Sequence, residues 1–212
     1  MFKLKSKFGI GGAKPYPTIG KPVFEGLRTV FLDRDGILNE KMPEGLYVTR
    51  WIDFQVLPGV PEALRKLNEA GLLVIVVSNQ RGIAQGLCTV KDVDAIHASF
   101  RKLLEGYGAR VDAFFVCPHE NGKCDCRKPL PGLYQQAAAQ FPTIKPEESV
   151  MIGDSLSDME FGRNIGMKTI FVEGDPERRA PGAEEAARLA TRIVSSLPQA
   201  VEMLLGSLQN PG

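Results

Sequence analysis

Apolar residues in this chain follow two rhythms. Short runs such as "TVFLD", "LLVIVVS", "AFFVC", "SVMIGD" and "TIFV" are nearly uninterrupted, the pattern of strands covered on both faces. Between them the apolar positions recur every three or four residues, which predicts helices. Pro61 to Ala70 has that spacing. Thr89 to Tyr107 sets Val93, Ile96, Phe100, Leu103 and Tyr107 on one face, opened by Thr89 and Asp92 as a capping pair. "PGLYQQAAAQF" and "LSDMEFGRNIG" predict two further helices, and "GAEEAARLA", a short "RIV" strand and "LPQAVEMLL" close the series. Strands alternating with helices predict an α/β fold, a parallel sheet with helices on both faces. Within it His97 reads as a helix residue packed or half-exposed beside the apolar stripe, and Cys88 as a small packed or loop residue rather than a nucleophile.

Composition narrows this picture. At 212 residues and 43% hydrophobic content, the chain can bury one full core. Residues 1–24 carry Lys3, Lys5, Lys7, Lys14 and Lys21 with no acid and are rich in Gly and Pro, which predicts a flexible basic extension ahead of a single domain over 25–208. "GIGGAK" misses the spacing of a phosphate loop, and no strand precedes it. Twenty-six basic against twenty-five acidic residues leave a net charge of +1, so no whole-protein field attracts nucleic acid or an anionic membrane. An anionic substrate must be gripped locally. No apolar run reaches a membrane span, and the N-terminus lacks the apolar core of a secretory signal; a cytoplasmic location and a monomer are the expectations.

In open α/β sheets ligands gather beyond the carboxyl ends of the strands. Four such ends carry chemistry. The first, "FLDRDGILNE", sets Asp33 and Asp35 two apart on a turn at Gly36. A calcium loop is excluded, because Gly36 stands fourth from Asp33 and no bidentate Glu follows at the twelfth position; an ordinary Asx turn stays open for this motif taken alone. The second end places Ser78 and Asn79 before "QRGIAQG". Arg127 and Lys128 form the third group, and "MIGDSLSDM" brings Asp154 and Asp158 after a strand and Gly153. Each is commonplace singly; in this order they suit phosphoryl transfer through an aspartyl-phosphate. Phosphate-monoester hydrolysis requires accelerations up to ~10²¹, which positioning and charge neutralisation must largely supply. Asp33 and Asp154 could hold Mg²⁺, Lys128, Ser78 and Asn79 the phosphoryl oxygens, and Asp35 could exchange the proton with the leaving oxygen and then with water.

These four pieces resemble the signature motifs of the haloacid dehalogenase-like phosphatases, from about Arg28 to Val172 and more loosely to Leu205. The resemblance implies a Rossmann-like haloacid dehalogenase fold. It implies Asp33 as nucleophile, Asp35 as general acid and base, and Mg²⁺ on Asp33, Asp154 and the backbone carbonyl of Asp35, with Asp158 positioning Lys128 or supporting the metal. "DRDGILNE", "DFQVLPGVPEAL", "SNQRGIAQG", "CPH" with "CDCRKP", and "GDSLSDM" are similar to the heptose 1,7-bisphosphate 7-phosphatases; the histidinol-phosphate phosphatases are close relatives that share the cysteine loop. A sugar bisphosphate would offer Arg127 a second anion. Asn39 and Arg81 complete the expected substrate-side set. Ser78 stands where threonine is common, Arg81 where serine is usual, and Leu46 where glycine is common. A reading of another class, a catalytically silent zinc-bearing regulatory or interaction protein, conflicts with the full set of carboxylates.

"VCPHENGKCDCRKP" brings Cys117, His119, Cys124 and Cys126 together as C-x-H-x₄-C-x-C. Three thiolates and an imidazole suit a closed tetrahedral Zn²⁺ site of structural type. Such a site is worth about 10–16 kcal/mol in apparent terms, enough to fold a loop with almost no apolar residues. The expectation is a clamp at 117–126 that places Arg127 and Lys128. No insertion between the motifs is long enough for a large cap domain, which predicts an open site rimmed by the zinc loop and "RGIAQG".

Overall fold

The computed structural model describes residues 23–43, 45–179 and 181–209. The expected basic extension, with "GIGGAK", lies outside the described residues except for Val23 and Phe24. Phe24, one residue before the expected start of the domain, is buried in the core.

Six strands form one parallel sheet in the order β3-β2-β1-β4-β5-β6. They are β1 (Thr29–Leu32), β2 (Leu73–Asn79), β3 (Ala113–Cys117), β4 (Ser149–Gly153), β5 (Lys168–Val172) and β6 (Arg192–Val194). Successive side chains of a strand point to opposite faces, and the core divides accordingly. Val30, Leu32, Val74, Val76, Val150 and Ile152 face one layer, with α1 (Val60–Glu69), α3 (Val90–Glu105) and α7 (Leu197–Gln209). Phe31, Ile75, Val77 and Met151 face the other, with α4 (Gly132–Gln140) and α5 (Leu156–Ile165); α6 (Ala183–Leu189) joins α5 against Phe171. The expected two-sided α/β layering is thus present. Thr89 and Asp92 do form the reciprocal capping box that opens α3. A single turn of helix, α2 (Arg81–Ala84), occupies what reads in sequence as a loop.

β1 pairs with β2 on one side and β4 on the other. The strand order reverses between β1 and β4, the switch point beyond whose carboxyl ends this class of sheet binds ligands.

Candidate active site

Asp33 follows β1 and Asp154 follows β4, and the Asp33 N–H donates to the Ile152 carbonyl at 3.0 Å, continuing the ladder one residue past the strand. The chain then turns at Gly36, whose φ is +89°. A Cβ there would collide with the Asp154 carboxylate, so glycine serves both the left-handed backbone and the close approach of the two acidic loops. Asp33, Asp154 and Asp158 bring one carboxylate oxygen each within 4.8 Å of one another. Asp158 reaches back to its own helix start: its Oδ2 accepts from the Ser155 N–H at 3.1 Å and the Ser155 hydroxyl at 2.6 Å.

Lys128 enters this acidic cluster from the other side of the sheet end, wholly buried. Its ammonium donates to Asp33 Oδ1 (2.9 Å), Asp158 Oδ1 (2.6 Å) and the Val77 carbonyl (2.8 Å), which uses all three of its hydrogens. Burial works against its charge, but Asp158 and Asp33 more than compensate and raise its pKa. Asn79 grips the main chain of the same residue twice, accepting from the Lys128 N–H at 3.0 Å and donating to its carbonyl at 3.1 Å. Both residues therefore hold protein where phosphoryl oxygens are expected: Asn79 sets the lysine, and the lysine sets Asp33.

Burial lifts the Asp33 carboxyl to about 6 against the opposing charge of Lys128, with Asp158 and Asp35 adding to the rise. Burial likewise lifts Asp154 to about 7, with Asp33 and Asp158 reinforcing and Lys41 opposing. The Lys41 ammonium lies 2.6 Å from Asp154 Oδ2, while Asp154 Oδ1 is buried with no hydrogen-bond partner. Clustered hard oxygens carrying excess negative charge, one of them without a partner, fit a divalent cation such as Mg²⁺. Asp35 stands apart from this cluster. Burial would raise its pKa, but the Arg34 guanidinium and hydrogen bonds from Arg34, Asn39 and Gln80 outweigh it and hold the carboxyl low.

A cavity of about 280 Å³ opens over these groups, lined among others by Asp33, Asp35, Ser78, Asn79, Arg127, Lys128 and Asp154. Arg127 Nη1 is buried without a partner, and the Ser78 hydroxyl accepts from Gln80 at 2.7 Å, leaving its own hydrogen outside that bond. Two expected contributors lie elsewhere. Asn39 is fully buried behind Asp35 and donates to its Oδ1 at 2.9 Å. Arg81 is exposed and pairs with Glu120 across the rim at 2.7 Å; α2 turns it outward. Arg34, Lys41 and Gln80 were missed in the sequence. For Arg34 a signal existed, a charge wedged between two acids at the end of a buried strand; Lys41 and Gln80 gave none.

A family model described as HAD-hydrolase-like matches residues 125–200. A protein of Mycobacterium tuberculosis named D-glycero-alpha-D-manno-heptose-1,7-bisphosphate 7-phosphatase is 42% identical over 137 residues, 64% of this chain and 72% of its own length. One of Haemophilus ducreyi, named for the beta anomer, is 36% identical over 182 residues, 82% of this chain and 98% of the relative. The chain belongs to the heptose-bisphosphate phosphatase family of haloacid dehalogenase-like hydrolases. Its fold agrees: the crystal structure of the D,D-heptose 1,7-bisphosphate phosphatase of B. bronchiseptica, complexed with magnesium and phosphate, superposes with a TM-score of 0.74 at 29% identity, covering 85% of this chain and 99% of that one.

In this phosphatase-family chain the cysteine loop leaves β3 and returns to Lys128. Cys117, His119, Cys124 and Cys126 bring their donor atoms within 4.8 Å of one another. Cys117 and Cys126 sulfurs are 3.0 Å apart, Cys117 and Cys124 3.5 Å, and His119 Nδ1 lies 3.3 Å from Cys126. The cysteines are free thiols. Burial and the neighbouring thiols push Cys126 up, whereas the Arg127 N–H and the other two thiols overcome burial and hold Cys124 down to about 7. Three soft sulfurs and an imidazole this close fit a thiophilic tetrahedral cation. The loop is seated by Gly132 at the start of α4, where a Cβ would fall 2.7 Å from the Cys126 Cα.

Proposed function

We propose that this chain is a Mg²⁺-dependent phosphatase that removes the 7-phosphate of D-glycero-D-manno-heptose 1,7-bisphosphate through an aspartyl-phosphate on Asp33. The observation that carries the reading is the meeting of four strand-end motifs, distant in sequence, around one cavity at the switch point of the sheet. Mg²⁺ is assigned to Asp33, Asp154 and the Asp35 carbonyl, with Asp158 in support; bound there, it would offset the repulsion between a carboxylate nucleophile and a phosphate dianion. Lys128 orients Asp33 and shares its negative charge. Ser78 offers a hydroxyl to the phosphoryl oxygens. Arg127, with a buried nitrogen left unpaired beside the cavity, is the group for the second phosphate, which a guanidinium can grip in bidentate fashion. Zn²⁺ on Cys117, His119, Cys124 and Cys126 would have a structural role, since the protein fills all four positions. We take the protein to act as a monomer in the cytoplasm, where its thiols stay reduced.

The test is phosphate release with Mg²⁺ from heptose 1,7-bisphosphate and from histidinol phosphate, by wild type and by Asp33→Asn. The heptose bisphosphate is expected to be turned over with the higher kcat/KM, and the folded Asp33→Asn protein to release nothing above background. Preference for histidinol phosphate would reassign the substrate. Full activity in Asp33→Asn would remove the aspartyl-phosphate.

A further inference from the structure

The residue between the two catalytic-motif aspartates is the largest fully buried side chain of the domain. Arg34 is 0% exposed, and its guanidinium lies 5.8 Å from the centre of the Phe54 ring, itself packed between Trp51 and Phe100. Burying a guanidinium is costly unless a counter-charge meets it. Its counter-charge is Asp35: Nε and Nη2 donate to the single oxygen Oδ1 at 3.2 and 2.9 Å. Two further titratable groups feel its charge: His97, kept neutral by burial and by the charges of Arg34 and Arg101, and Cys88, whose pKa burial raises against the pull of Arg34. Neither supplies a negative charge to match the guanidinium in place of Asp35.

The Asp35 carboxylate is loaded unequally. Oδ1 takes the two Arg34 bonds and a third from Asn39, and neither Arg34 nor Asn39 lines the cavity. Oδ2 takes one bond, at 2.9 Å from Gln80, which does line it. Arginine can only donate. A primary amide turned over presents its oxygen instead, so Gln80 can face a bare carboxylate oxygen or a protonated one. We infer that Arg34 is a positioning residue for Asp35: by pinning Oδ1 to the core it fixes the carboxylate plane so that Oδ2 faces the substrate and is the oxygen that passes the proton.

This rests on the reading given under Proposed function. In its first step the Asp33 carboxylate bonds to phosphorus, the bond from phosphorus to the sugar oxygen breaks, and that oxygen takes the proton from Asp35 Oδ2, leaving the alcohol and a carboxylate. In the second, water bonds to phosphorus and gives its proton to Oδ2 while the Asp33–phosphorus bond breaks, releasing inorganic phosphate. Only a poor leaving group needs the proton in the first step.

The experiment measures kcat/KM, which reports that first step, for an alkyl phosphate (heptose bisphosphate) and for p-nitrophenyl phosphate, whose leaving group departs unprotonated. Arg34→Lys keeps the charge and loses the fork. It is expected to lose roughly 10²-fold on the alkyl ester, the scale of a misdirected general acid, and to stay within about 3-fold of wild type on the aryl ester. Gln80→Leu, at the cavity side, is expected to show the same selective loss, and serves as the deciding variant where Arg34→Lys does not fold. Equal losses on both esters, or none, overturn the assignment while leaving the phosphatase standing. A wild type inactive on both esters defeats the phosphatase reading and this one with it.

Discussion

His97 isolates what burial does to a titratable side chain that has no ionic partner. It is 2% exposed, its ring stacks on Phe114 with centroids 4.2 Å apart, and its Nε2 has no hydrogen-bond partner. Burial, then the charges of Arg34 and Arg101, depress its pKa from 6.5 to about 3. For a base whose folded pKa is depressed, the unfolded chain binds the proton first. Stability is therefore intact above the unfolded value and drains away as pH falls from about 6.5 toward 3. Between pH 7 and pH 5 this one residue should cost about 2 kcal/mol of unfolding free energy. Urea titrations at the two pH values should show that decrement shrinking in His97→Phe, whatever the variant's stability at pH 7; an unchanged decrement would mean the imidazole titrates normally. Helical spacing placed His97 beside the apolar stripe, but the arginines that add to the effect of burial come from the turn after β1 and from the next turn of α3, and contacts of that kind leave no local trace in sequence.

Among the elements, the strands were the most legible. The apolar runs of β1, β2, β4 and β5 are buried almost throughout, so no polar alternation blurs them, and even at the more exposed edges "AFFVC" and "RIV" coincide with β3 and β6. Strand-end chemistry was legible too, because a polar residue after such a run must lie at the sheet's edge. What sequence could not give was the direction of each hydrogen bond: Asn79 and Lys128 read as phosphate ligands, yet the Lys128 ammonium spends its three hydrogens on Asp33, Asp158 and the Val77 carbonyl, and Asn79 spends its oxygen and one amide hydrogen on the Lys128 main chain. That assignment makes the cysteine loop consequential, since it delivers the Lys128 main chain that Asn79 clamps. Removing the metal with a strong chelator, or introducing Cys124→Ser, should raise amide exchange across 117–128. It should also lower kcat by about 10²-fold, as a misplacement near 1 Å does, with little effect on exchange in α1 or α7. Metal analysis should return one zinc per wild-type chain. Wild-type exchange and kinetics in a zinc-free Cys124→Ser protein would separate the loop from catalysis.

Across the whole molecule, the sheet crowds three carboxylates, Asp33, Asp154 and Asp158, at one end against the two ammonium groups that contact them. Lys128 is shared between Asp33 and Asp158, and Lys41 reaches only Asp154 Oδ2. Burial, with the neighbouring carboxylates adding to it, lifts Asp33 to about 6 and Asp154 to about 7: folding desolvates these acids and brings like charges together, and the fold carries the cost. A dication bound to the folded state alone should return it as global stability. At 100 times its dissociation constant Mg²⁺ should add about 2.7 kcal/mol. For a domain of this size that is a rise in Tm of roughly 5–11 °C. Asp154→Asn removes one of the three crowded carboxylates and a metal ligand together. Without metal it should melt no lower than the metal-free wild type, because losing a desolvated carboxylate crowded by Asp33 and Asp158 offsets the loss of its pair with Lys41. With metal its Tm should not move. Calorimetric scans of both proteins with and without Mg²⁺ decide the point: an equal rise in the two would place the cation outside the carboxylate cluster, and a large fall in the metal-free variant would mean that the Asp154–Lys41 pair stabilises the fold more than the crowding harms it.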